Sequence, residues 1–77
     1  MTNEYRQEDV EAGSELLFEY VHSIARCGGF MPSRLNLTLH AAGELGLPKS
    51  AALKAVSLME QQRASELKRV GYVPRPF

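Results

Sequence analysis

The run from His40 to Glu60, HAAGELGLPKSAALKAVSLME, constrains this chain more than any other stretch. Small and apolar residues recur at helical spacing on both sides of a glycine, a pattern that reads as helix, tight turn, helix. Ala42 leaves room for two helices to cross closely, Gly46, three residues past Gly43, turns the chain, and Leu47 plugs the corner. Val56 and Met59 complete the buried side. The later helix is predicted to start at Pro48, because the missing N–H of a proline costs nothing at the first helical position.

The remaining segments fit around this pair. Residues 1–8 are polar apart from Tyr5 and read as a mobile acidic arm. A first helix, capped by Asp9, runs to Cys27 with Leu17, Val21 and Ile24 on one face and Tyr20 beside them, and Gly28 and Gly29 stop it. From Arg34 to His40 the leucines 35, 37 and 39 alternate with polar residues. Period two predicts a short extended segment there, and a helix start capped by Asn36 or Thr38 fits equally well. The earlier helix of the pair would then cover roughly Leu39 to Leu45. In the last helix Ala52, Val56, Met59, Leu67 and Val70 keep helical spacing, but Arg63 occupies an apolar slot, which predicts a bend or an end near Gln62. Gly71 is the natural stop. Pro74 and Pro76 make residues 71–77 a tail that no central strand could hold. The expected fold is all-α: a three-helix bundle over residues 9–70, with one short extended segment as the open choice.

A chain of 77 residues makes one small domain, with a core able to supply about 3–5 kcal/mol of net stability. Cys27 is the single cysteine, so no internal disulfide is expected, which suits a reducing cytoplasm. The longest run of large apolar residues is Leu16, Leu17 and Phe18, and the amino end is acidic. Neither a membrane span nor a signal peptide is expected. The formal net charge of zero hides an asymmetry: residues 1–19 carry six carboxylates and one arginine, and residues 20–77 carry eight bases and three carboxylates. The result is an acidic head on a basic body.

Ala41-Ala42, Leu45, Ser50-Ala51, Val56, Met59 and Glu60 resemble the helix-turn-helix of LysR-type regulators, which often read A-A-x-x-L and then S-x-S-A-V-S-x-x-I-x-x-L-E. The order helix, short extended run, helix, helix is similar to the front half of a winged-helix domain. The likeness covers about twenty residues, a quarter of the chain. Ala52 stands where the family prefers valine, Leu53 stands where it prefers serine, and no wing follows. The resemblance therefore implies a similar DNA reader rather than a LysR-type protein.

In such a reader the outward residues near the amino end of the second helix enter the major groove. By position these are Lys49, Ser50, Leu53, Lys54 and Ser57. Lysine reaches guanine edges or phosphate, serine bonds either, and leucine touches a thymine methyl. Thr38, Arg34 and Arg63 are the expected phosphate contacts. So few groups call for a dimer on a palindrome. The expected function is a small transcriptional regulator on double-stranded DNA.

A second reading rests on Leu53 and on the acidic stripe. An exposed leucine between two lysines suits a protein surface as well as DNA. Glu11, Glu15 and Glu19 are spaced four apart and neighbour one another on a helix, where each like-charged pair costs about 0.2–0.5 kcal/mol. Macrodipole attraction offsets part of that for Glu11. The stripe could be plain solvated surface, or it could dock on the chain's own basic body or on a basic partner. The alternative function is a modulator of the transcription machinery, such as a phage-type inhibitor that binds RNA polymerase.

Enzymatic chemistry is not expected. Gly43 to Ser50 resembles a phosphate-binding G-x-x-x-x-G-K-S loop, but Pro48 replaces the glycine before lysine and offers no amide hydrogen. Glu19 and His22 make one Glu-x-x-His pair where a di-iron bundle needs two. Cys27, His22 and His40 are dispersed and lack metal-ligand spacing. No metal or other cofactor is expected.

Overall fold

A computed structural model describes residues 5–77. It is all-α: α1 (Gln7–Cys27), α2 (Arg34–Glu44), α3 (Lys49–Gln62) and α4 (Ala64–Arg69). Helix α3 lies between α1 and α2, which barely meet each other.

Helix α1 starts earlier than the sequence suggests. Arg6, with extended backbone, is the capping residue, and Glu8 and Asp9 fall in the first turn, where carboxylates favour the macrodipole. Asp9 is therefore not the cap. Gln7 and Glu8, expected in the arm, belong to the helix, and Tyr5 packs against the core; residues 1–4, the rest of that arm, lie outside the described residues. Val10, Gly13, Ser14, Leu17 and Val21 form the buried face at helical period. At the far end Gly28 takes φ 72°, and the Gly29 amide donates to the Ile24 carbonyl at 3.0 Å, closing the last turn as a left-handed glycine allows.

The stretch from Arg34 to His40 is helix, not an extended segment. Its cap is neither Asn36 nor Thr38 but Ser33, whose Oγ accepts from the Asn36 amide at 3.2 Å while the Asn36 side chain accepts from the Ser33 amide at 3.1 Å. This reciprocal capping box satisfies two otherwise orphaned donors. The next two are satisfied from a distance: the Arg34 and Leu35 amides donate to the Arg75 and Pro76 carbonyls at 2.7 and 3.2 Å. With its first-turn N–H groups occupied, helix wins over strand. Of the three alternating leucines only Leu37 is buried, since residues two apart on a helix face different ways.

In the turn, Gly46 takes φ 70°, so that the Leu45 and Leu47 amides both reach the Ala41 carbonyl at 3.2 Å. Pro48 caps α3, one residue before the position expected for it. Ala51, Ala52, Ala55, Val56 and Met59 are buried. The closest approach is at Gly13 of α1, where an added Cβ would stand 2.8 Å from Leu47 Cδ1 and 3.4 Å from Ala55 Cβ. A glycine within a helix disfavours it by about 1 kcal/mol relative to alanine; here it admits the corner-plugging leucine.

The last expected helix is two. Arg63 leaves helical geometry at φ −119°, ψ 28°, and α4 continues to bury Leu67. Gly71, at φ 91°, ends α4. The tail then folds back over α3 and the amino end of α2: Tyr72 is 3 % exposed and its hydroxyl donates to Glu60 Oε2 at 2.7 Å. No helix among the described residues is long and apolar enough to cross a membrane.

Candidate nucleic-acid interface

Burying Ala51, Ala52, Ala55, Val56 and Met59 against α1 and α2 leaves the opposite side of α3 to solvent. Lys49, Leu53 and Lys54 are exposed there, and Ser57 is half-buried beside them. Lys49 and Leu53 join Arg34, Leu35, Thr38, Val56 and Pro76 around a cleft of about 290 Å³. Lys54 and Ser57 turn toward the amino end of α1, where they line a shallow hollow with Gln7, Val10, Leu58 and Gln61. The α3 outer face is thus one surface with two flanks. Ser50 does not share it fully: its Oγ is enclosed and has no hydrogen-bond partner.

The three expected phosphate contacts divide. Arg34 sits at the cleft, 3.1 Å from Glu60 through Nε, with its side chain 46 % exposed. Thr38 lines the same cleft but is buried, and its hydroxyl donates to the Arg34 carbonyl at 2.8 Å. Arg63 is elsewhere. Its Nη2 donates to both Glu15 oxygens at 2.7 and 2.9 Å, its guanidinium carbon lies 4.6 Å from the Phe18 ring centre, and Glu66 is 3.4 Å away. The forked geometry and the ring beneath it are what arginine does better than lysine. They also explain how a charged residue fills the apolar slot between Met59 and Leu67.

The acidic stripe is divided in part. Glu11 and Glu15 share an open hollow with Glu8, Ala12 and Gln62, with Glu15 also docked on the chain's own Arg63, and Glu19 lies apart with Phe18, His22 and Arg26. The dispersed ligand candidates stay dispersed: His22 packs edge-on against Phe18, and His40 stacks on Tyr20 at 3.9 Å. Among the described residues no three His, Cys, Asp or Glu side chains gather as a metal site. The G-x-x-x-x-G-K-S-like run spans the end of α2, the turn and the start of α3.

Two features escape the sequence. Arg75, on a tail read only as no central strand, is brought to the amino end of α2, where its Nη2 donates to the Met31 carbonyl at 2.8 Å. Glu60 links Arg34 to the Tyr72 hydroxyl, and burial, then this hydrogen bond, push the phenol's pKa up. No local signal marks either.

Fold and site together define a small all-α domain that presents α2, a glycine turn and α3 with a mixed basic and apolar outer face. No protein family, curated protein or solved structure matches the chain.

Proposed function

We propose that the chain is a small transcriptional regulator that binds double-stranded DNA through α3, as a dimer in the cytoplasm. One observation carries this reading. Lys49 and Lys54 project from the exposed side of a helix set behind a left-handed glycine turn, and neither is in an ion pair among the described residues. Arg63 is spent on folding; these two cations are not. Uncommitted cations on the solvent side of a helix, here one on each flank of α3, are what phosphate neutralisation draws on. Arg34, at the amino end of α2, lines the cleft with Lys49. In this proposal Lys49, Lys54 and Ser57 face the groove, with Leu53 against a thymine methyl.

The test is fluorescence anisotropy on duplex DNA across a salt series. Binding should weaken steeply with salt, and Lys49→Ala with Lys54→Ala should lower the slope of log affinity against log salt by about two. Absence of binding at low salt would sink the reading.

Leu53, 50 % exposed beside a 44 % exposed Leu35, favours a second function: a protein-binding modulator of the transcription machinery. Here the apolar cleft is the docking surface, with Glu11 and Glu19, which have no ion pair among the described residues, as further contacts and Glu15 already engaged. Purified RNA polymerase should then retain the wild type and release Leu53→Ser.

A further inference from the structure

The cleft between α2 and α3 joins an apolar interior to an uncompensated positive charge. Val56 and Thr38, both buried, form its floor, and Leu35, Leu53 and Pro76 stand around them. The Thr38 hydroxyl donates to the Arg34 carbonyl at 2.8 Å, so it has no donor left for a ligand. Of the two cations at the cleft, Arg34 is paired with Glu60 at 3.1 Å, while Lys49 has no ion pair among the described residues. No carboxylate among those residues lines the cleft. One uncommitted positive charge beside apolar walls is complementary to one negative charge on an apolar body. Lys49, Leu53 and Val56 lie four and then three residues apart on α3, along a single line. A ligand whose head meets Lys49 therefore lays its tail over Leu53 and Val56. The volume, about 290 Å³, is at the small end of the usual range of about 300–1,000 Å³ for ligand pockets, which suits a small molecule better than a segment of another protein.

We propose that this cleft binds a small amphipathic carboxylate with one anionic head and an aliphatic tail. The head sits on the Lys49 ammonium, and the tail covers Leu35, Leu53 and Val56. The tail supplies most of the affinity, because it removes half-exposed leucines from water. The head supplies selectivity more than strength, since an exposed ion pair contributes little. The site rests on neither functional reading above. It shares Lys49 with the first and Leu53 with the second, so the carboxylate competes with either macromolecule.

Calorimetric titration and amide chemical-shift mapping of the full chain, without DNA, test it with octanoate, with octanol as the uncharged molecule of equal tail length, and with acetate as the head alone. Octanoate should bind saturably at millimolar concentration or below and shift the amides of Leu35, Thr38, Leu53 and Val56. Octanol should bind there about fivefold more weakly, and acetate not measurably. Lys49→Met, which keeps the aliphatic stem, should lower the octanoate affinity to that of octanol and leave octanol unchanged. Leu53→Ser should weaken both by about fivefold or more. Both positions are exposed, and circular dichroism checks that the variants keep the fold. Equal affinity for octanoate and octanol overturns the proposal, as does an octanoate affinity that Lys49→Met leaves unchanged, acetate binding as well as octanoate, or shifts confined to another surface. So does the absence of saturable octanoate binding, whether or not DNA or another protein occupies the cleft.

Discussion

Where α1 crosses α3, Leu17, Val21, Ala55 and Met59 are sealed from water, and Gly13 is pressed against Leu47. On the outer side of α2 and α3, Leu35, Leu39 and Leu53 stand 44, 60 and 50 % exposed, with Lys49 and Lys54 around them. Both regions hold apolar residues at helical spacing. The first answers to folding, since each group there has a partner inside the chain. In the second, Leu35 and Leu53 line one cleft that Leu39 does not join, and exposed leucines become informative where they cluster. The division assigns stability to one side of α3 and, in the function proposed above, recognition to the other.

The contrast can be broken most directly at Leu17, which is 0 % exposed. Leu17→Ala should cost about 2–5 kcal/mol, as much as the whole net stability expected of a domain this small, and thermal denaturation followed by circular dichroism should find little folded protein. A mild loss would mean that the crossing is not the core. At the joint between the two regions, Gly46→Val forces a β-branched side chain to φ 70°, and should cost about 1–2 kcal/mol, read from the urea midpoint. Ser33→Ala removes half of the capping box and should cost about 1 kcal/mol, with helix content lost first from α2 in hydrogen exchange.

Tyr72 gives a smaller effect that depends on pH. Its folded pKa lies above the ordinary value of 10.0 because of burial and then Glu60. The folded state therefore holds the phenolic proton more tightly than the unfolded state. That contribution is complete below the unfolded value and declines as pH rises from there toward the folded one. Compared with Tyr72→Phe, the wild type should lose stability more steeply in alkaline urea titrations; parallel curves would show that the phenol is not linked to folding. The smallest effect on stability is expected from Lys49→Ala with Lys54→Ala: no measurable change in thermal midpoint, beside a large loss of DNA affinity. A matching loss of stability would place these lysines with the folding side after all.

The interior of α3 and its turn could be read from the chain because both depend on near neighbours. Ala52, Val56 and Met59 repeat at the helical period, and Gly46 is the residue a left-handed corner prefers. The start of α2 was harder, because three alternating leucines mimic a strand and the deciding contacts come from Ser33 and from the tail. The candidate site was legible for Lys49, Leu53, Lys54 and Ser57, whose outward placement follows from helical phase. It was not legible for Arg63, whose partner Glu15 is 48 residues away, nor for Thr38, whose hydroxyl turns to its own backbone.

By itself, then, the sequence determined an all-α chain, the glycine stops, the turn at Gly46 and the buried side of α3. These follow from periodicity and backbone preference, which act over a few residues. Tertiary structure alone decided that the tail caps α2, that Arg63 and Glu15 neutralise each other, and that Leu37 is buried while Leu35, Leu39 and Leu53 are not. Burial and ion pairing depend on segments far apart in the chain, so only packing could separate the charges and leucines used by the fold from those left exposed.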